Sequence, residues 1–177
     1  VKDYMNYLIL DRMEEYDPDT DQMLFYLPLA GMTFKKIYFD QAKQRPVARF
    51  VPAQDVVVPY TATDLRSAPR ITHVLKMSDN EVRKMQVAGF YRDVELSSAG
   101  DDEEDDVRSK VNELQGVSLS SYTDDTRTVL EMHVELDIEG FEDIGADGEP
   151  TGIKLPYIVS IDRDSDTVLS IRRNYVE

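Results

Sequence analysis

Apolar positions along the chain repeat with two different periods. Met5, Leu8, Ile9, Met13 and Tyr16 recur every three or four residues, the spacing that gathers side chains on one face of an α-helix. Asp17-Pro18-Asp19 is expected to break that helix. Met23-Leu24-Phe25-Tyr26-Leu27 then starts a second one that stalls near Pro28 and ends at Gly31. Residues 35–39 and 47–51 are β-rich and flank a polar loop through Pro46, which predicts a hairpin continued by a short strand at Val56-Val57-Val58. Residues 70–77 alternate as a strand. Ser78-Asp79-Asn80-Glu81 follows as a capping box, in which the serine hydroxyl and the glutamate carboxylate satisfy free amides of a first helical turn. Val82, Met85 and the terminating Gly89 complete that short helix, and Val107, Val111 and Leu114 give a further helical stripe that stops at Gly116.

The clearest strand pattern runs over residues 129–139. Leu130, Met132, Val134, Leu136 and Ile138 face one way, and Glu131, His133, Glu135, Asp137 and Glu139 the other, which predicts a half-buried strand with a solvated acidic face. Residues 153–161 and 167–175 flank Asp162-Arg163-Asp164-Ser165-Asp166 and read as a long terminal hairpin. Strands come in antiparallel runs and helices are grouped rather than alternating with them. The fold class is therefore α+β, with antiparallel hairpins or a sheet and a few short helices, rather than doubly wound α/β. The reading is of one α+β region over residues 1–177, with no internal repeat.

A chain of 177 residues suits one domain that buries roughly 70% of its unfolded surface. A chain that opens on Val1 is expected to be a piece of something longer. Cysteine is absent, which excludes disulfides, thiolate metal sites and thiol nucleophiles. No apolar run approaches the roughly 20 residues needed to cross a bilayer, and the start does not read as a secretory signal. The formal charge of -15 is unevenly placed: 19 acids and 3 bases lie between Asp93 and Glu149, against 16 acids and 17 bases elsewhere. A nearly neutral body with one very acidic region repels phosphate, so sequence-independent grip on DNA is not expected. The run Asp101-Asp102-Glu103-Glu104-Asp105-Asp106 is read as part of a solvated, mobile acidic insert over residues 97–126, in preference to a cation site or a docking surface.

Most motifs with chemical content fail on inspection. Asp17, Asp19 and Asp21 have the start of a calcium loop, but Gln22 and Pro28 occupy its glycine and bidentate-acid positions. Asp162, Asp164 and Asp166 fail in the same way at Thr167 and Arg173, so both segments are read as turns. Gly140-x4-Gly145 has phosphate-loop spacing, yet Ala146 and Asp147 replace the lysine and hydroxyl that would hold phosphate and magnesium. There is no serine elbow and no dinucleotide fingerprint. Two histidines exclude a multi-histidine centre. His73 shares a strand face with Ile71 and Leu75 and reads as a hydrogen-bonded core residue. His133 lies between Glu131 and Glu135 on one strand face, with successive side chains about 7 Å apart. A neighbouring strand would have to add ligands for these three to hold a divalent ion; otherwise they form a bare solvent face. The chemistry points away from an enzyme and implies no cofactor. A carboxylate-rich metal-dependent hydrolase and an acidic protein-interaction module stand as the alternatives.

Four groups of residues carry a family resemblance. They are Leu24-Phe25-Tyr26-Leu27-Pro28-Leu29-Ala30-Gly31 leading to Phe34-Lys35-Lys36; Tyr60-Thr61-Ala62-Thr63-Asp64-Leu65 with Ala68-Pro69-Arg70-Ile71-Thr72-His73; Gly89-Phe90-Tyr91-Arg92-Asp93-Val94; and Pro156-Tyr157-Ile158 with Ile171-Arg172-Arg173-Asn174-Tyr175. In this order and spacing they resemble the portal proteins of tailed bacteriophages, of the short-tailed phage and prophage type. The likeness covers nearly the whole chain apart from residues 97–126. It implies the wing region of a longer protein that forms a dodecameric ring at a capsid vertex. On such a ring the terminase docks, scaffolding, capsid and tail adaptor proteins assemble, and double-stranded DNA passes through the channel without sequence-specific binding. It further implies residence in the virion and, during assembly, in the host bacterial cytoplasm. No catalytic residue carries over, because ATP hydrolysis belongs to the terminase. Arg70, Arg92, Arg172 and Arg173 fall inside the matching stretches. They are expected either to pair with acids of a neighbouring subunit or to make ordinary surface and intradomain pairs worth about 0–1 kcal/mol when exposed.

Overall fold

A computed structural model describes residues 1–40, 43–96 and 126–174. The fold is mixed α+β, with three α-helices and two antiparallel sheets of two and five strands among the described residues. It divides into two compact units, Val1–Val58 and Pro59–Glu177. The helical stripe expected at Val107, Val111 and Leu114, the acidic run at residues 101–106 and Tyr175 lie outside the described residues.

The first unit begins with α1 (Lys2–Tyr7), which widens into a π-helical turn over Leu8–Arg12 and ends at Met13. Of the stripe expected there, Met13 is buried and Leu8, Ile9 and Tyr16 are half-buried, while Met5 is exposed. The chain then turns into α2 (Tyr16–Ala30), so Asp17-Pro18-Asp19 opens a helix instead of breaking one. The physical reason is position. A proline in the first turn lacks an N–H that would have no helical partner anyway, and Asp17 and Asp19 meet the positive end of the helix dipole. Pro28 sits inside the last turns without ending them. Termination comes at Gly31, whose φ of 72° is the left-handed conformation that closes a helix, its N–H donating to Leu27 O at 2.9 Å. β1 (Thr33–Asp40) and β2 (Arg45–Pro52) form the expected hairpin, in register from Thr33↔Pro52 to Asp40↔Arg45. Helix α2 is tied to it by Asp19 Oδ2 accepting from Phe50 N (2.9 Å), Glu15 pairing with Arg45 (2.7 Å), and Tyr26 stacking on Phe50 at 5.6 Å. Val47, Ala48 and Val51 are buried. The short strand expected at Val56-Val57-Val58 is present as β3 (Val56–Val57).

In the second unit β4 (Arg70–Ser78), β5 (Thr126–Leu136), β6 (Leu155–Asp162) and β7 (Thr167–Arg173) pair in that order, all antiparallel. Between β4 and β5 comes α3 (Asp79–Val87), opened by the expected capping box: Ser78 Oγ accepts from Glu81 N, and Ser78 N donates to Glu81 Oε2. Gly89 at φ 74° turns the chain back across the sheet. A strap over residues 90–96 then follows, held where the Gln86 amide donates to Arg92 O (3.1 Å) and Val94 O (2.9 Å), and where Arg92 N donates to Leu169 O (2.8 Å).

Helix and strap bury Val82, Tyr91, Val129 and Leu169, with Leu75, Met77, Phe90, Val94 and Leu96 against them. Part of the expected division of β5 holds: Leu130, Met132 and Val134 are half-buried, and Glu135, Asp137 and Glu139 are exposed. Its first half is corrected, since Arg127 and Val129, on the side that carries Glu131, are buried, as is Thr128 on the other side, and the Glu131 side chain is only 14% exposed. The strand also ends at Leu136 rather than 139. Which face is covered depends on where α3 and the strap land, and the alternation within β5 carries no information on that. A register shift between Ser160 and Ile161 marks a bulge in the β6–β7 pairing, and it lets Leu169 and Ser170 share the covered face.

Candidate functional site

The covered face of the five-stranded sheet gathers most of the residues of interest. The pairing His73↔Glu131, Glu131↔Ser160 and Ser160↔Ser170 places one row of polar side chains across β4, β5, β6 and β7. The next row is Ile71, His133, Ile158 and Arg172. Adjacent cross-strand side chains on one face lie about 4.5–5.5 Å apart at Cβ, so neighbours in each row are within reach of one another.

His133 Nε2 approaches Glu131 Oε1 at 3.4 Å. The flanking strands bring His73 and Ser160 to Glu131 but only apolar neighbours to His133. His133 faces Ile71 and Ile158, and Glu135 faces Pro156 and is exposed. Among the described residues no three His, Asp or Glu side chains converge in a way that could hold a metal ion. Glu131, His133 and Glu135 are thus a pair plus an outlying carboxylate. The Gly140-x4-Gly145 segment forms a turn, and a side chain at Gly145 would meet Asp147 Oδ1 at 2.6 Å, which places a carboxylate where a phosphate would need donors.

The four arginines separate into two kinds. Arg172 lies over the Phe90 ring at 3.9 Å and Arg173 over Tyr157 at 5.2 Å, contacts made inside the second unit. Arg70 and Arg92 are exposed, and neither forms an ion pair with a described residue. Tyr91 is pushed up from the usual phenol range, first by burial and then by the Glu131 charge, against the smaller opposing influence of Ser160 and Arg172. Its hydroxyl points at Met77 Sδ, 3.9 Å away.

A second network was not foreseen from the sequence. Arg127, 4% exposed, donates from Nη1 to Asp162 Oδ2 (3.2 Å) and from Nε to Asp79 Oδ1. Asp162 is completely buried and also accepts from Ser165 N and Ser165 Oγ. The Asp162–Asp166 segment therefore works as a turn whose first carboxylate already has a guanidinium. Its aspartate-rich sequence pointed to a turn, but not to the arginine 35 residues away.

The first unit presents a different surface. Leu24, Phe25 and Leu29 on α2 are 56%, 69% and 72% exposed, and Ile37 and Phe39 on β1 are 72% and 59% exposed. No helix among the described residues is long and apolar enough to cross a membrane. The sequence matches no protein-family model and no curated protein to a significant level.

Proposed function

We propose that this chain is the wing portion of a tailed-bacteriophage portal protein, a structural assembly protein rather than an enzyme. The observation that supports this reading best joins sequence to surface. The stretch Leu24–Gly31, the most apolar of those resembling portal proteins, is also the part of α2 left most open to solvent. Apolar patches of that kind on a folded surface mark sites of association. In the complete protein the chain belongs to a homo-oligomeric ring, dodecameric by the resemblance, at the capsid vertex. Terminase, scaffolding, capsid and tail adaptor proteins are its partners, and duplex DNA passes through the channel. The charge of -15 suits a body beside which DNA must move without being held. Exposed Arg70 and Arg92 remain available for pairing between subunits, whereas Arg172 and Arg173 are already engaged with aromatic rings.

The test is negative-stain electron microscopy of the complete parent protein expressed without other phage proteins. Rings with a central channel are expected, and Phe25→Asp with Leu29→Asp should reduce them to smaller species. A parent that stays monomeric across a range of salt concentrations would overturn the proposal.

A further inference from the structure

Ser160 is fully buried and Ser170 is 6% exposed. They face each other directly across β6 and β7. Neither Oγ makes a hydrogen bond of good geometry to a described residue, although the Tyr91 hydroxyl above comes close enough to Ser160 to be influenced by it, and the buried Nε of Arg172, two positions along β7 on the same face, is likewise unpaired. Three unpaired polar atoms in one small area are costly, since a buried donor or acceptor forfeits its hydration. Phe90 and Tyr91 close this area from solvent, the Phe90 ring standing against the Arg172 guanidinium at 3.9 Å and Tyr91 being 5% exposed.

We infer that Ser160, Ser170 and Arg172 form an internal water-binding site beneath the Phe90–Tyr91 strap. Arg172 Nε can only donate, so a water takes it on a lone pair; the water's two hydrogens then go to the two serine oxygens, and each of the three heavy atoms gains one partner. Three bonds is the usual number for a buried water. Serine Cβ atoms facing each other across a ladder stand about 4.5–5.5 Å apart, a gap that one water spans at ordinary hydrogen-bond lengths. A neutral ligand fits better than an anion, because the mostly buried carboxylate of Glu131 is the direct cross-strand neighbour of Ser160. The water would lock β6 to β7 beside the bulge and support the strap from below.

A crystal structure of the 177-residue chain at a resolution that orders water tests this directly. Density within hydrogen-bond distance of Ser160 Oγ, Ser170 Oγ and Arg172 Nε is expected, unchanged in crystals soaked in bromide. A dry site, or an anomalous bromide peak there, overturns the assignment. Thermal melts of Ser160→Ala and Ser170→Ala give an independent sign. A bridged water predicts a fall in Tm of about 2–4 °C for each. Hydroxyls buried without any partner predict a rise, and a rise in both variants would likewise overturn the site.

Discussion

Replacing Arg127 by methionine isolates the energetic weight of a buried charge in this fold. Arg127 is 4% exposed and Asp162 is 0% exposed, and their 3.2 Å contact joins β5 to β6 beneath α3. Methionine fills much of the same volume, so lost packing is small, but the substitution leaves the Asp162 carboxylate buried with only the Ser165 donors. Removing one partner of a buried pair costs about 3–5 kcal/mol. At about 2–4 °C per kcal/mol for a chain of this size, Tm should fall by about 6–20 °C. The second partner, Asp79, is 51% exposed, and Asp79→Asn should cost no more than about 1 kcal/mol because solvent screens that contact. The double variant Arg127→Met with Asp162→Asn removes the uncompensated charge and should recover about 2 kcal/mol of the loss. The assay is thermal and urea unfolding by circular dichroism of the parent, Arg127→Met, Asp162→Asn and the double variant, read as a double-mutant cycle, with Asp79→Asn measured beside them. A loss below about 1 kcal/mol for Arg127→Met, or strictly additive effects, would show that the pair is solvated in solution and refute the reasoning.

Three further outcomes follow from individual contacts. Ser78→Ala deletes one half of the capping box and should cost about 1 kcal/mol in urea unfolding; an unchanged midpoint counts against the cap. Gln86→Ala removes both bonds that hold the strap at Arg92 and Val94, so hydrogen exchange at the Arg92 amide should accelerate while the amides of β5 stay protected. Equal protection in both proteins would show that the strap holds by packing alone. Glu15 is held below the usual carboxylate range, chiefly by its hydrogen bond from Arg45. A depressed folded value means that its contribution is present above the unfolded pKa and is lost as pH falls through the folded one. Glu15→Gln should therefore flatten the acid side of the stability profile, and a profile identical to the parent's would refute the pairing.

Local signals in the sequence were sufficient wherever the physics is local. The capping box at Ser78–Glu81, the left-handed stop at Gly31 and the β1–β2 hairpin each depend on atoms a few residues apart, so pattern and turn chemistry determine them, and with them the α+β class. Asp17-Pro18-Asp19 is ambiguous in the sequence because the same residues suit both a break and a helix start; the choice depends on the turn that closes just before them, where Tyr16 N donates to Met13 O. The orientation of β5 was not legible, since alternating side chains show two faces without saying which one α3 and the strap will cover. The same limit applies to the functional residues. Arg127 meets Asp162 from 35 residues away, and Ser160, Ser170 and Arg172 acquire meaning only once the β6–β7 register and its bulge place them on one closed face. Periodicity along a strand is written in the chain, but burial, and hence the cost of every unpaired charge or hydroxyl, is created by what the tertiary structure lays on top of it.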